Sequence, residues 1–156
     1  RTEGPMPDRK DLPTVEQVDT AYLESLLGYN TRRATLAIIS RFMERMARYD
    51  LKPVEFSVLS LVSRNPGITS RQLCATLGIL PPNLVGLVTA LEKRGLLERH
   101  PHPRDGRAMG LHLTQAGDKL VLAAERTATE SEAEAASGLT PTELKTLMRL
   151  LQKVYR

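Results

Sequence analysis

LGILPPNLVGLVTALEKRG, Leu77 to Gly95, carries the end of one helix and the whole of the next. Gly78 reads as a left-handed stop for a preceding helix. Pro81 opens a second helix that runs to Arg94 and halts at Gly95. A helix start leaves four N–H groups without intrahelical partners. Pro81 and Pro82 carry no N–H, so they remove two of those donors and suit a first turn rather than forbid it. Just upstream, Thr69-Ser70-Arg71-Gln72 has the form of a capping box, with Thr69 as N-cap and Gln72 three residues on. The short helix it starts carries Leu73, Cys74 and Leu77. Two short helices joined through a glycine turn predict a helix-turn-helix.

Working outward, apolar residues recur at helical spacing between Val15 and Tyr49: Leu23, Leu26, Leu27, Ile38, Ile39, Phe42, Met43 and Met46. Gly28 is expected to break or bend this segment. Pro53 suits the first turn of the next helix, whose stripe of Phe56, Leu59 and Val62 ends at Asn65-Pro66-Gly67. Beyond the central stretch, Leu97–Pro101 and Gly110–Thr114 read as two short strands around the polar loop HPRDGRAM. A long helix should then run to about Ser137. LTPTELKTLMRLLQKVY follows, with Thr140 as N-cap, Pro141 in the first turn and Glu143 completing a second capping box.

The expected fold is therefore mainly α with a small β-hairpin. Residues 51–114 form a winged helix-turn-helix lobe, and residues 1–14 form a loose tail. Residues 15–50 and 115–156 form flanking helices with more apolar stripe than one small domain covers. Such faces commonly mark an interface, so these segments are read as a dimerisation region for a second copy.

The net charge of +4 is modest but unevenly placed. Residues 1–50 carry eight Lys/Arg and eight Asp/Glu, and residues 108–156 carry six of each. Residues 51–107 carry eight bases (Lys52, Arg64, Arg71, Lys93, Arg94, Arg99, Arg104, Arg107) against four acids, which accounts for the whole excess. A basic surplus confined to a helix-turn-helix points to double-stranded DNA. The single cysteine excludes an internal disulfide and suits a reducing cytoplasm. No run reaches the roughly 18 apolar residues of a membrane span.

If the second helix enters a major groove, its side chains near the start face base edges. Asn83 suits adenine, while Pro82 or Val85 suits thymine methyl groups. Thr89 and Lys93 lie further along, toward sugar and phosphate. Thr69, Ser70, Arg71 and Gln72 are phosphate candidates, since helix N-termini and basic side chains both attract anions. On the hairpin, Arg107 and Arg104 suit a narrow minor groove, whose negative potential draws guanidinium.

Five segments taken in order resemble the MarR family of bacterial transcription regulators: LKPVEFSVLSLV, NPGITSRQLCATLGI, LVTALEKRGLLERH, PRDGRAMGLHLTQAG and LTPTELKTLMRLL. The resemblance covers roughly Tyr29 to the C-terminus and includes the Asp105-x-Arg107 wing and the Leu-Thr-x-x-Gly exit from the second strand. It implies a homodimer with interleaved terminal helices on a pseudo-palindromic operator, most often a repressor, released by a small effector such as an aromatic acid. It also implies that Asp105 orients the Arg107 guanidinium. The chain departs from the family at Pro82, Val85 and Gly86, where Ser, Thr or Arg is usual, and at Gly106 and Gly110, where further arginines are common.

By the same resemblance the effector lies between the dimer helices and the winged lobe. Tyr29, Asn30, Arg32, Arg33 and Phe56 would line it, combining aromatic faces with cations that suit an aromatic carboxylate or the phosphates of a CoA thioester. Three readings compete. A winged-helix module that binds protein would need no polar readers. A redox sensor would use Cys74, and a metal sensor His100, His102 and His112; the cysteine falls at a helix contact and the histidines lack neighbouring ligands at metal-site spacing. No catalytic motif, metal site or resident cofactor is indicated.

Overall fold

The computed structural model describes residues 17–156; the expected tail, residues 1–14, lies outside them. The chain divides into two compact units, Arg1–Leu36 and Ala37–Arg156. In the first, α1 (Ala21–Glu24) is a single turn and α2 (Leu27–Met46) begins three residues later. The break falls at Ser25-Leu26 and not at Gly28, which lies inside α2. Side chains cause it. Ser25 Oγ donates to the Tyr22 carbonyl at 2.6 Å, and Asn30 Nδ2 donates to the carbonyls of Glu24 and Leu26 at 2.7 and 2.8 Å. Such local bonds compete with the helical ladder.

In the second unit, α2 ends in a 3-10 turn, Ala47–Tyr49, closed by Asp50 at φ 50°. Then follow α3 (Pro53–Arg64), β1 (Ile68–Thr69), α4 (Ser70–Leu77), α5 (Pro81–Lys93), β2 (Leu97–Pro101), β3 (Met109–Leu113), α6 (Gln115–Ala135) and α7 (Pro141–Tyr155). The three strands are antiparallel in the order β1-β3-β2. The sheet is thus one strand larger than the expected hairpin: Ile68 and Thr69 pair with Leu111 and Gly110. Two residues are too few for strand periodicity to show in the sequence.

The core of this unit centres on α3. Val58, Leu59 and Val62 share one buried cluster with Met46 of α2, Leu73 of α4, Leu84, Val88 and Leu91 of α5, Leu111 of β3, and Val121 and Ala124 of α6. Fully burying a Val or Leu side chain contributes about 1.5–3 kcal/mol, so the α5 trio holds that helix firmly. Polar bonds tie α6 to the same frame. Arg64 pairs with Glu125 through both nitrogens, one of them at 2.7 Å, and Ser60 donates to the same carboxylate at 3.0 Å. The Arg64 guanidinium, ahead of the Ser60 hydroxyl, holds the Glu125 carboxyl below its ordinary range against the opposing effect of burial. Tyr49 Oη shares a 2.8 Å hydrogen bond with Thr127 Oγ1 and receives one from Arg48 at 2.6 Å.

The terminal helix is left uncovered. Although α7 has its expected cap, with Thr140 Oγ1 accepting from the Glu143 amide, none of its residues is buried. Leu147, Met148, Leu150, Leu151 and Val154 lie exposed along it.

Gly117 shows why the strand exit ends in glycine. A Cβ there would overlap the Leu96 carbonyl oxygen and touch Leu113. Since that contact is with main chain, it cannot yield cheaply. Gly117→Ala should cost about 1–3 kcal/mol, read as a lower denaturant midpoint at constant slope; an unchanged midpoint would contradict this packing.

Candidate nucleic-acid interface

The directions of α4 and α5 differ by 117°, within the range of a helix-turn-helix. Thr69 caps α4: its hydroxyl accepts from the Gln72 amide at 3.2 Å, and Gln72 Oε1 accepts from the Thr69 amide at 3.0 Å. These two expected phosphate contacts are therefore engaged in the cap, whereas Ser70 and Arg71 beside them are exposed. Gly78 closes α4 at φ 65°.

With Leu84, Val88 and Leu91 facing the core, a 100° step per residue fixes what α5 shows outside. Pro82, Gly86, Thr89 and Lys93 form the outward stripe, with Asn83 on one shoulder and Val85 on the other. Val85 is 60% exposed, and Leu80, at the N-cap, 69%. The expected readers thus share one outer face, with Thr89 half-buried at its edge.

The wing tip is braced by its own main chain. Asp105 Oδ1 accepts from the Arg107 amide at 3.1 Å, the Ala108 amide donates to the Asp105 carbonyl at 3.0 Å, and the His102 amide donates to the Ala108 carbonyl at 3.0 Å. Asp105 therefore binds the Arg107 backbone rather than its guanidinium, which corrects the expected orienting contact. A short carboxylate two residues ahead favours this turn-closing bond. Arg104 and Arg107 remain exposed. Gly110 has a structural role: it is buried, and a Cβ there would lie 2.9 Å from the Gly67 carbonyl oxygen, so no arginine fits.

The basic surplus separates into two sets. Arg64 pairs with Glu125, Arg99 pairs with Glu92 at 2.7 Å, and Arg94 donates to the carbonyls of Asp50 and Tyr49 at 2.7 and 2.9 Å. The side chains of Arg71, Lys93, Arg104 and Arg107 are exposed and make no hydrogen bond or ion pair among the described residues. The unpaired set falls on the start of α4, the end of α5 and the wing tip.

Of the expected effector residues, Tyr29, Asn30, Arg32 and Arg33 belong to the first unit and Phe56 to the second. Tyr29 is half-buried, Arg32 and Arg33 are exposed, and both Asn30 amide hydrogens serve the α1–α2 break. Phe56 is half-buried, edge-on to Phe42 with ring centres 5.4 Å apart. Cys74 is half-buried against the core. His100 and His112 meet edge-on at 4.8 Å, and His100 Nε2 lies 3.2 Å from Glu98 Oε1. Among the described residues no group of three His, Cys, Asp or Glu is placed to hold a metal, and no single helix is long and apolar enough to cross a membrane.

Residues 49–108 match the sequence profile of the MarR family. A regulatory protein assigned to the hcr operon of Thauera aromatica is 27% identical over 131 residues, spanning 83% of this chain and 79% of that protein. The solved structure of the transcriptional repressor CouR bound to a 23-mer DNA duplex is 36% identical, with a TM-score of 0.83, over 89% of this chain and 99% of that one. The chain belongs to the MarR family. CouR bound to p-coumaroyl-CoA is also similar, at 34% identity and TM-score 0.80, over 89% of this chain and 98% of that one. As a MarR-family member the chain is a transcriptional regulator.

For a MarR-family regulator, the residue that sequence reading missed is Arg94. It counts in the sequence as one more base of the surplus. In the structure it joins the end of α5 to the last carbonyls of the turn before α3, groups that a helix end leaves unpaired. The signal lay in Arg94-Gly95 at the helix stop, where an arginine can reach terminal carbonyls. Arg94→Ala should weaken duplex binding without changing the slope of log affinity against log salt, because it removes no phosphate contact. Lys93→Ala should reduce that slope by about one. A matching fall in slope for Arg94→Ala would show that its guanidinium meets phosphate instead.

Proposed function

We propose that the chain is a ligand-responsive repressor acting as a homodimer on a pseudo-palindromic operator in the cytoplasm. The observation that carries this reading is the set of four exposed, unpaired cations, Arg71 at the start of α4, Lys93 at the end of α5, and Arg104 and Arg107 on the wing tip. In this reading residues 51–114 are the DNA-binding lobe, and residues 15–50 and 115–156 are the dimerisation region. A second copy supplies what α7 lacks: cover for Leu147, Met148, Leu151 and Val154.

The roles divide by chemistry. Ser70 and Arg71, with the capped α4 start formed by Thr69 and Gln72, hold phosphate; Asn83 reads adenine; Lys93 and Thr89 meet the backbone. Arg104 and Arg107 enter the minor groove from a tip that Asp105 keeps folded. Arg107→Ala should abolish operator binding at physiological salt while the dimer and its helical signal persist. An unchanged affinity would remove the wing from the interface.

The effector is an aromatic acid or its CoA thioester, a class supported by the p-coumaroyl-CoA complex of CouR. Arg32 and Arg33, exposed and without a partner among the described residues, would meet its anionic groups, with half-buried Tyr29 of the same unit supplying aromatic surface. Selection of bound genomic fragments identifies the operator. Titrating free aromatic acids and their CoA esters against it should then release the protein at a saturating concentration of one class and leave Arg32→Ala/Arg33→Ala less responsive. If neither class alters affinity, the effector assignment is wrong.

The apolar stripe of α5 also suits a protein-binding module. In that case binding would persist at high salt, whereas phosphate-driven binding weakens steeply.

A further inference from the structure

Among the described glycines, Gly67, Gly78 and Gly95 take positive φ, Gly110 and Gly117 are held by packing, and Gly28, Gly86, Gly106 and Gly138 are under neither constraint. Gly110 and Gly117 each face main chain that a Cβ would strike. Gly86 sits inside α5, has no positive φ, and would place a Cβ in open space. Glycine inside a helix is disfavoured relative to alanine because it gives up more backbone freedom on folding. The fold therefore gains nothing from Gly86.

Its position is the informative part. Gly86 lies at the middle of the outward stripe, between Pro82 and Thr89 and one residue from exposed Val85. A helix with its side chains is about 10–12 Å across, and a major groove is about 12 Å wide. Side-chain thickness on the outward face thus limits how deeply the axis enters. Over the first turns that face carries a proline ring, no side chain at all and a threonine, and Lys93 follows only at the helix end. Arg71 at the start of α4 and Lys93 at the end of α5 are unpaired cations, which complement a polyanion.

We propose that Gly86 is a specificity-determining position. Its missing side chain lets the α5 backbone lie against base edges in the major groove, and Pro82 and Val85 then close over thymine methyl groups. The occupant is a thymine-bearing duplex. This explains how a helix with Asn83 as its one amide reader discriminates sequence: the depth of insertion converts apolar surface into base contact. The inference rests on the DNA-binding reading above.

The test uses the full chain and the tightest duplex from a random-sequence selection, made with dT or with dU at single positions. Removing one buried methyl should weaken wild-type binding about 3–5-fold at contacted positions, from the roughly 0.8 kcal/mol of a buried CH₂ group. Gly86→Ala should raise the melting temperature by about 2–4 °C, as expected for a better helix former. It should also lower affinity for the selected duplex at least about tenfold, and by a larger factor than affinity for random duplex at low salt. Val85→Ala should lose the dU effect at the positions Val85 covers.

Opposite signs for stability and specific binding are what a close-approach glycine predicts. If Gly86→Ala is stabilised and binds the selected duplex as well as wild type, the inference is overturned. If dU replacement is silent at every position, methyl recognition is overturned. A wild-type chain that selects no duplex at all would instead defeat the DNA-binding reading itself.

Discussion

The structure depends on how α5 is held. Leu84, Val88 and Leu91 set it into the core at a fixed rotation, so Pro82, Gly86, Thr89 and Lys93 face outward together. Arg94 then fixes its far end to the Tyr49 and Asp50 carbonyls. Burial sets the rotation and the guanidinium sets the tilt.

This arrangement explains the mixture of charge and grease that the central stretch presents. The outward face of α5 is polar-poor, and the exposed, unpaired cations lie at the start of α4, at the end of α5 and on the wing tip. Of the eight local bases, Arg64, Arg99 and Arg94 are engaged by Glu125, Glu92 and terminal carbonyls, Lys52 lies at the α3 cap, and the other four stay free. Net charge alone overstates the electrostatic footprint, whereas the placement of the unpaired groups describes it.

Much of this was legible from residues. Pro81, Gly78, and the Thr69–Gln72 and Thr140–Glu143 boxes mark helix ends because their chemistry acts within four residues. The fold and family followed from those signals in order. What escaped was non-local or side-chain driven. The pairing of Ile68-Thr69 with β3, the Asn30 bonds that move the helix break away from Gly28, and the inward turn of Arg94 each depend on a partner that spacing does not specify. Asp105 shows the reverse case: a family role assigned to a guanidinium contact is met here by a main-chain amide.

The claim that binds these features together is that the winged lobe holds duplex DNA through its unpaired cations. Affinity for a selected duplex measured across a range of salt tests it most directly. Four cations on each of the two proposed protomers, eight in all, predict a slope of about −7 in log affinity against log salt. A slope near zero, or no affinity for any duplex in dilute buffer, would contradict it.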